Sequence, residues 1–209
     1  MTEELLELET KLKPCLDKYR YDHTIGVMHT AACLSMKYDA DLRQSMIAGL
    51  LHDCAKCIPT SQKYALCKKY HIEISEAEMV NPGLLHAKLG AYLARSQYGI
   101  GDEEVLHAIS VHTTGCPGMT LLDKILYIAD YIEPGRKDAA NLPVIRKLAF
   151  SDLDACLYQI LQDSLEYLKQ KDCVIDPMTE QTFLYYDNLF KTQKITSANK
   201  QLVETIKHM

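Results

Sequence analysis

Three things are scarce in this chain of 209 residues, and each scarcity closes off a class of function. Positive charge is not in excess: 23 Lys and Arg stand against 28 Asp and Glu, for a net charge of −5 at pH 7. General binding of a phosphate backbone needs a basic stripe, so no nucleic-acid polymer is expected as partner. No run of about 18 apolar residues occurs, and no membrane-spanning helix is expected. The opening Met1-Thr2-Glu3-Glu4-Leu5-Leu6-Glu7 is acidic and amphipathic, the reverse of the basic and then apolar start of a secretory signal. The expectation is a cytoplasmic protein with no membrane contact.

Motifs of other chemistries are also absent or incomplete. Without a secretory signal, the eight cysteines read as reduced thiols. Cys54-Ala55-Lys56-Cys57 is formally a CxxC, but no second pair completes a zinc knuckle and no strand precedes it as in a thioredoxin-like site. Gly99-Ile100-Gly101 lacks the strand and further glycine of a dinucleotide fingerprint. No G-x-S-x-G marks a nucleophilic serine. No period-2 alternation suggests a strand, and there is no internal repeat or low-complexity tract.

What remains is helical pattern nearly throughout, and 47% hydrophobic residues suffice for one substantial core. The pattern predicts helices from Thr2 to about Lys13, Tyr21 to Tyr38, Asp41 to the His52-Asp53 pair, and a shorter one capped by Ser61. His71 to Gly83 reads as loop with one turn of helix at most. Further helices are expected over Leu84–Ser96, Glu103–Val111 after Asp102, and Leu121–Ile132 after Thr120 with Asp123. Val144–Phe150, Asp152–Lys169 and Thr179–Phe190 complete the set. This predicts one all-α domain over residues 1–190 and a polar tail over 191–209, with a weak amphipathic stretch through Leu202, Val203 and Ile206.

Against this background Ala48-Gly49-Leu50-Leu51-His52-Asp53 is unusual, because it ends an apolar helix on a His and a carboxylate. Buried charges are generally paired or bound to a metal. Lys56, four residues after His52, shares its face. Read alone, the pair is equally a buried His–Asp hydrogen bond, and Lys56 a lysine complementing a helix dipole. Four other positions resemble it: His23, His86, His112 and Asp130 each lie near a helix end or a Gly- or Thr-rich turn. Imidazole and carboxylate without thiolate suit iron, manganese, zinc or nickel, not calcium. Six such donors exceed one tetrahedral ion, which allows two metals with Asp53 between them. Asp123 lies on nearly the face of Asp130 and competes as a ligand, although its spacing from Thr120 favours capping. His29, His71, His107 and His208 fall outside the pattern and read as surface or satisfied core histidines. Arg136 has Glu133 as an alternative partner.

The series His23, His52-Asp53, His86, His112, Asp130 resembles the HD-domain metal-dependent phosphohydrolases. The local words His23-Thr24-Ile25-Gly26-Val27, His112-Thr113-Thr114-Gly115 and Ala129-Asp130-Tyr131-Ile132-Glu133-Pro134-Gly135-Arg136 narrow it to the YqeK-type branch, the symmetrical bis(5'-nucleosyl)-tetraphosphatases. The resemblance runs from about Arg20 to Leu189. It implies a single HD-domain helical bundle that cleaves diadenosine tetraphosphate to two ADP by attack of a metal-bound hydroxide. It implies iron, as one or two ions, with manganese or another divalent metal as alternatives. His23, His52, Asp53 and Asp130 would hold the firmly bound ion. His86 and His112 would complete a second position or touch phosphate, and with His23 and Asp130 lie along the bound nucleotide. Lys56 and Arg136 would neutralise the polyphosphate. The segment Cys173-Val174-Ile175-Asp176-Pro177-Met178 would reach the nucleoside. Cys54 departs from the plain apolar residue usual there. The alternatives are another HD-type nucleotide phosphohydrolase acting on a mono- or triphosphate or an alarmone, a non-catalytic ADP-binding sensor, and an adapter working through the tail. A homodimer formed through helix faces is compatible with all of them.

Overall fold

Side-chain caps set most of the helix starts. Thr2, Asp17, Asp41, Ser75, Asp102, Thr120 and Asp152 each accept a backbone N–H from the turn that follows, satisfying donors that a helix start leaves open. They open α1 (Glu3–Leu12), α2 (Lys18–Tyr38), α3 (Leu42–Leu51), α5 (Glu76–Val80), α7 (Glu103–Val111), α8 (Leu121–Ile132) and α10 (Leu153–Gln170). α4 (Thr60–Lys69), α6 (Leu85–Ser96) and α9 (Leu142–Ala149) start without a side-chain cap, and α11 covers Pro177–Lys207. This computed structural model describes residues 2–137, 139, 141–171 and 173–207, the stretch 193–207 by backbone alone. Among the described residues there is no strand, and no helix is long and apolar enough to cross a membrane. The fold is all-α, as the periodicity predicts.

The differences from expectation have local causes. α2 begins at Lys18 rather than Tyr21, because Asp17 accepts the N–H of Arg20 at 2.7 Å and so starts the helix ahead of its apolar pattern. Ser61 does not cap α4; it sits inside the first turn, and Pro59 occupies the cap position. The loop before Gly83 does hold the short helix expected there, α5, fixed by a Ser75–Glu78 capping box. α9 starts at Leu142, with Pro143 in its first turn, where a missing N–H costs nothing. α11 continues without a break through position 190 to Lys207, across the expected start of a tail. The side chains of Leu202, Val203 and Ile206 and the whole of His208 lie outside the described residues.

The core is layered around α8, whose Leu122, Ile125, Leu126, Ile128, Ala129 and Ile132 are all buried. α8 packs against α2, α3, α7, α9 and α10, and α2 lies along α3. At that contact Gly49 is indispensable: a Cβ there would stand 2.8 Å from the Met28 Cα. The two helices therefore meet at backbone distance, which carries the end of α3 against the first turns of α2. Cys54 is buried and donates to the Gly90 carbonyl of α6 at 3.5 Å. Burial pushes its thiol up to about 12, and the side chain packs the turn after α3 against α6.

Candidate metal centre

The expected residues His23, His52, Asp53, His86, His112 and Asp130 converge on one small volume, delivered by α2, the end of α3, the start of α6, the end of α7 and the end of α8. All four imidazoles are held in the same way. His52 Nδ1–H donates to the Gly49 carbonyl at 2.8 Å and His112 Nδ1–H to the Ile109 carbonyl at 2.7 Å. His86 Nδ1–H donates to the Gly83 carbonyl, and His23 Nδ1–H to Glu133 Oε1 at 3.1 Å. Those oxygens only accept, so the proton sits on Nδ1 and each Nε2 presents a lone pair. Binding one ring nitrogen while aiming the other inward is how proteins orient metal-ligating histidines.

The inward atoms are not compatible with one another unless something positive lies among them. His23 Nε2, His52 Nε2 and Asp53 Oδ1 are buried without a hydrogen-bond partner. His23 Nε2 faces Asp130 Oδ1 at 3.1 Å, and the Nε2 atoms of His86 and His112 face each other at 3.1 Å. Donor atoms of His23, His52 and Asp130, and of His52, Asp53 and His112, lie close enough to share an ion. Asp53 divides the set. Its Oδ2 lies 3.8 Å from His23 Nε2 and 3.4 Å from His52 Nε2. Its Oδ1 lies 3.0 Å from His86 Nε2 and 3.7 Å from His112 Nε2. Burial alone would raise the Asp53 carboxyl, but His52, His112 and His86 outweigh it and hold it well below the usual carboxylate range. Asp130 is held low in the same way by His23, His52 and Arg136 against its own burial. Burial pushes His86 down to about 4 despite the nearby Asp53, which keeps its ring neutral and able to coordinate. The residues fit a divalent metal bound by imidazole and carboxylate.

Cations ring this centre on its open side. Lys56 Nζ donates to His86 Nε2 at 3.2 Å and lies 3.8 Å from Asp53 Oδ1. Arg136 pairs with Asp130 Oδ1 at 2.7 Å and also donates to its backbone carbonyl, which settles its partner as Asp130 and not Glu133. Three contributors went unrecognised in the sequence. Arg20 donates to Asp53 Oδ2 at 2.6 Å; it lies one turn before His23 on the same face, which is the signal that could have found it. Glu133 supports His23 and also accepts the Gly135 N–H. Arg146 donates to the carbonyls of Ile132, Glu133 and Arg136 and so pins the turn carrying Glu133 and Arg136. The residues outside the motif stay outside the centre: His29 is exposed, and Asp123 caps α8 and accepts from His107.

A cavity of about 720 Å³ opens beside the centre, walled by His112, Asp130 and Arg136 and continuing past Tyr127, Tyr131 and Tyr167. Its size is that of a small-molecule site. None of Cys173, Val174, Ile175, Asp176, Pro177 and Met178 lines it; Val174 and Met178 are exposed at the start of α11. From α8 and α10 the wall takes Tyr127, Tyr131 and Tyr167.

Comparison with known proteins agrees with this geometry. The HD domain model matches residues 20–135. The symmetrical bis(5'-nucleosyl)-tetraphosphatase of Bacillus subtilis is 40% identical over 178 residues, covering 84% of this chain and 92% of that one. Its counterpart from Halalkalibacterium halodurans is 38% identical, covering 88% and 95% of the two chains. A crystal structure from Clostridium acetobutylicum, described as a predicted HD superfamily hydrolase involved in NAD metabolism, matches with a TM-score of 0.83 and 38% identity over 87% of this chain and 96% of that one. With its histidine–aspartate centre in place and near-complete coverage of these relatives, the chain belongs to the HD-domain family, among the symmetrical bis(5'-nucleosyl)-tetraphosphatases.

Proposed function

We propose that this protein hydrolyses diadenosine tetraphosphate at its central phosphoanhydride, consuming one water and releasing two ADP. The observation that carries this reading is the division of Asp53 between two histidine sets, with Arg20, Lys56 and Arg136 paired to the centre's two aspartates, beside a cavity walled by His112, Asp130 and Arg136. His23, His52, Asp53 and Asp130 would hold the tighter ion, with His86 and His112 on the far oxygen of Asp53; iron is the proposed metal, with manganese or another divalent ion as alternatives. When bound, such an ion supplies Lewis-acid charge that polarises a phosphoryl oxygen and lowers the pKa of water.

The chain's own residues do the rest. One nucleoside diphosphate half occupies the cavity, its base against the tyrosine faces. Arg136 and Lys56 meet the phosphates at the cavity mouth, where Arg136 offers a planar fork of donors and Lys56 a mobile point charge. Burial lowers the pKa of the Lys56 ammonium, while Asp53 partly offsets this; an arriving polyphosphate offers it a further anionic partner. Arg20 holds the Asp53 carboxylate through Oδ2. As negative charge gathers on the departing ADP, these fixed cations stabilise it without having to reorganise. No covalent nucleophile is required, and the buried Cys54 thiol is aimed at Gly90.

We place the reaction in the cytoplasm, where the acidic chain meets free nucleotides. The test is elemental analysis of the purified protein coupled to chromatography of the products. ADP alone, together with a stoichiometric divalent metal, supports the assignment. AMP plus ATP in equal amounts overturns the substrate position, and turnover by metal-free protein overturns the centre.

A further inference from the structure

A second set of unlike donors lies on the opposite side of α7 from His112. His107 of α7, Cys116 of the following loop and Asp123 in the first turn of α8 place an imidazole nitrogen, Sγ and a carboxylate oxygen all within 4.8 Å of one another. His107 and His112 are five residues apart, about 140° around a helix, so this set is separate from the HD centre and shares none of its residues.

The arrangement is partly organised already. Asp123 is buried, and its Oδ2 accepts the Thr120 N–H at 2.8 Å, which fixes the carboxylate and leaves Oδ1 facing His107 Nδ1 at 3.0 Å. Capping explains Asp123 Oδ2 and the His107 imidazole pairs with Oδ1, but neither explains why a thiol is brought beside them. Cys116 is half-buried, reduced, and flanked by Gly115 in the left-handed region (φ +64) and by Pro117. Burial and the Asp123 charge raise the Cys116 thiol above its ordinary value, so it rests protonated and would release its proton on binding an ion.

We propose that His107, Cys116 and Asp123 form a second metal site, for zinc or a similar thiophilic divalent ion, with water as fourth ligand. Nitrogen, sulfur and oxygen donors in a set of three plus water match zinc's preferences, and the thiolate distinguishes the site from the sulfur-free HD centre. Ligands around a tetrahedral zinc lie roughly 3.5 Å apart, so the present spread calls for side-chain adjustments on the order of an ångström. The ligands bracket the loop His112-Thr113-Thr114-Gly115 on both sides. An ion here ties the middle of α7 to the start of α8 and steadies the turn that presents His112.

Cobalt(II) titration of the full-length protein, with its HD centre already loaded, tests the site. The expected result is one further equivalent bound, with a near-ultraviolet sulfur-to-cobalt charge-transfer band that the HD centre cannot give. Cys116→Ser removes the band while HD-centre metal content is retained, and His107→Gln weakens cobalt binding by about tenfold or more. A wild-type protein without the band, or a band that persists in Cys116→Ser, overturns the proposal. Joint loss of the band and of the HD-centre metal overturns the separateness of the two sites.

Discussion

Glu133 holds His23 from behind: its Oε1 accepts the imidazole Nδ1–H at 3.1 Å while its Oε2 accepts the Gly135 N–H. The carboxylate fits only because two glycines flank it. A Cβ on Gly26 would lie 2.6 Å from Oε2, and one on Gly135 would lie 2.9 Å away. Glu133→Gln keeps the shape but removes the charge that makes His23 a strong donor. The expected outcome is a 10- to 100-fold loss of metal affinity, read as metal retained after dialysis. Gly26→Ala should give the same loss by displacing the carboxylate, and full metal retention in both variants would count against the role given to Glu133.

Asp53 is the point where both histidine sets meet, and its replacement should be all-or-none. Asp53→Ala is expected to remove metal and turnover together, measured by elemental analysis and product formation on one preparation. Retained activity without metal would disprove the centre.

Lys56 and Arg20 should separate substrate binding from metal binding. A charge-assisted hydrogen bond contributes about 1.5–3 kcal/mol, so Lys56→Ala is expected to lower kcat/KM for diadenosine tetraphosphate by about 10- to 100-fold with metal content unchanged. Loss of metal in this variant would make Lys56 structural. Arg20→Ala should show a smaller loss in KM than in kcat, because Arg20 acts through Asp53.

Removal of the metal should lower stability as well as activity. Ions that bind only the folded chain stabilise it by about 2.7 kcal/mol at a hundred times the Kd. Thermal unfolding of chelator-treated protein should therefore shift upward on titration with manganese(II) or iron(II). An unchanged midpoint at saturating metal would show that the buried Nε2 atoms are not its ligands.

Gly49→Ala tests the helix crossing that positions His52. The added methyl meets the Met28 backbone at 2.8 Å, and backbone cannot yield as a side-chain end can. Overpacking of this kind costs about 1–3 kcal/mol. The urea midpoint should fall accordingly, and metal affinity should fall with it as α3 is pushed back.

How much of this was legible in the sequence depended on whether the signal was local. The exact bounds of α7 and α8 could be read because Asp102 and Thr120 each stand immediately before an apolar period. The six inward-facing donors could be read because His52-Asp53 ends an apolar helix, the others lie near helix ends or Gly- or Thr-rich turns, and the series as a whole resembles the HD-domain phosphohydrolases. The start of α2 could not, because Lys18, Tyr19 and Arg20 carry no apolar face and only the cap reveals them. Glu133 and Arg146 act across 110 and 13 residues, distances at which no spacing rule operates, whereas Arg20, one turn before His23, was within reach of one. The segment 173–178 was placed by resemblance alone, and the cavity wall includes Tyr127 and Tyr131, one turn apart on α8, and Tyr167 of α10.

The uniform commitment of four Nδ1 protons to fixed acceptors has a consequence for how the centre fills. No ring has to flip, no tautomer has to change and no apolar surface is newly covered when an ion arrives. Loading should therefore be a capture event, its rate set by dehydration of the ion and by release of Lys56 from His86 and of Arg136 from Asp130. Calorimetry of that step should show a heat-capacity change near zero, since such changes track apolar burial, and metal exchange should proceed without the slow phase that a rearranging site imposes.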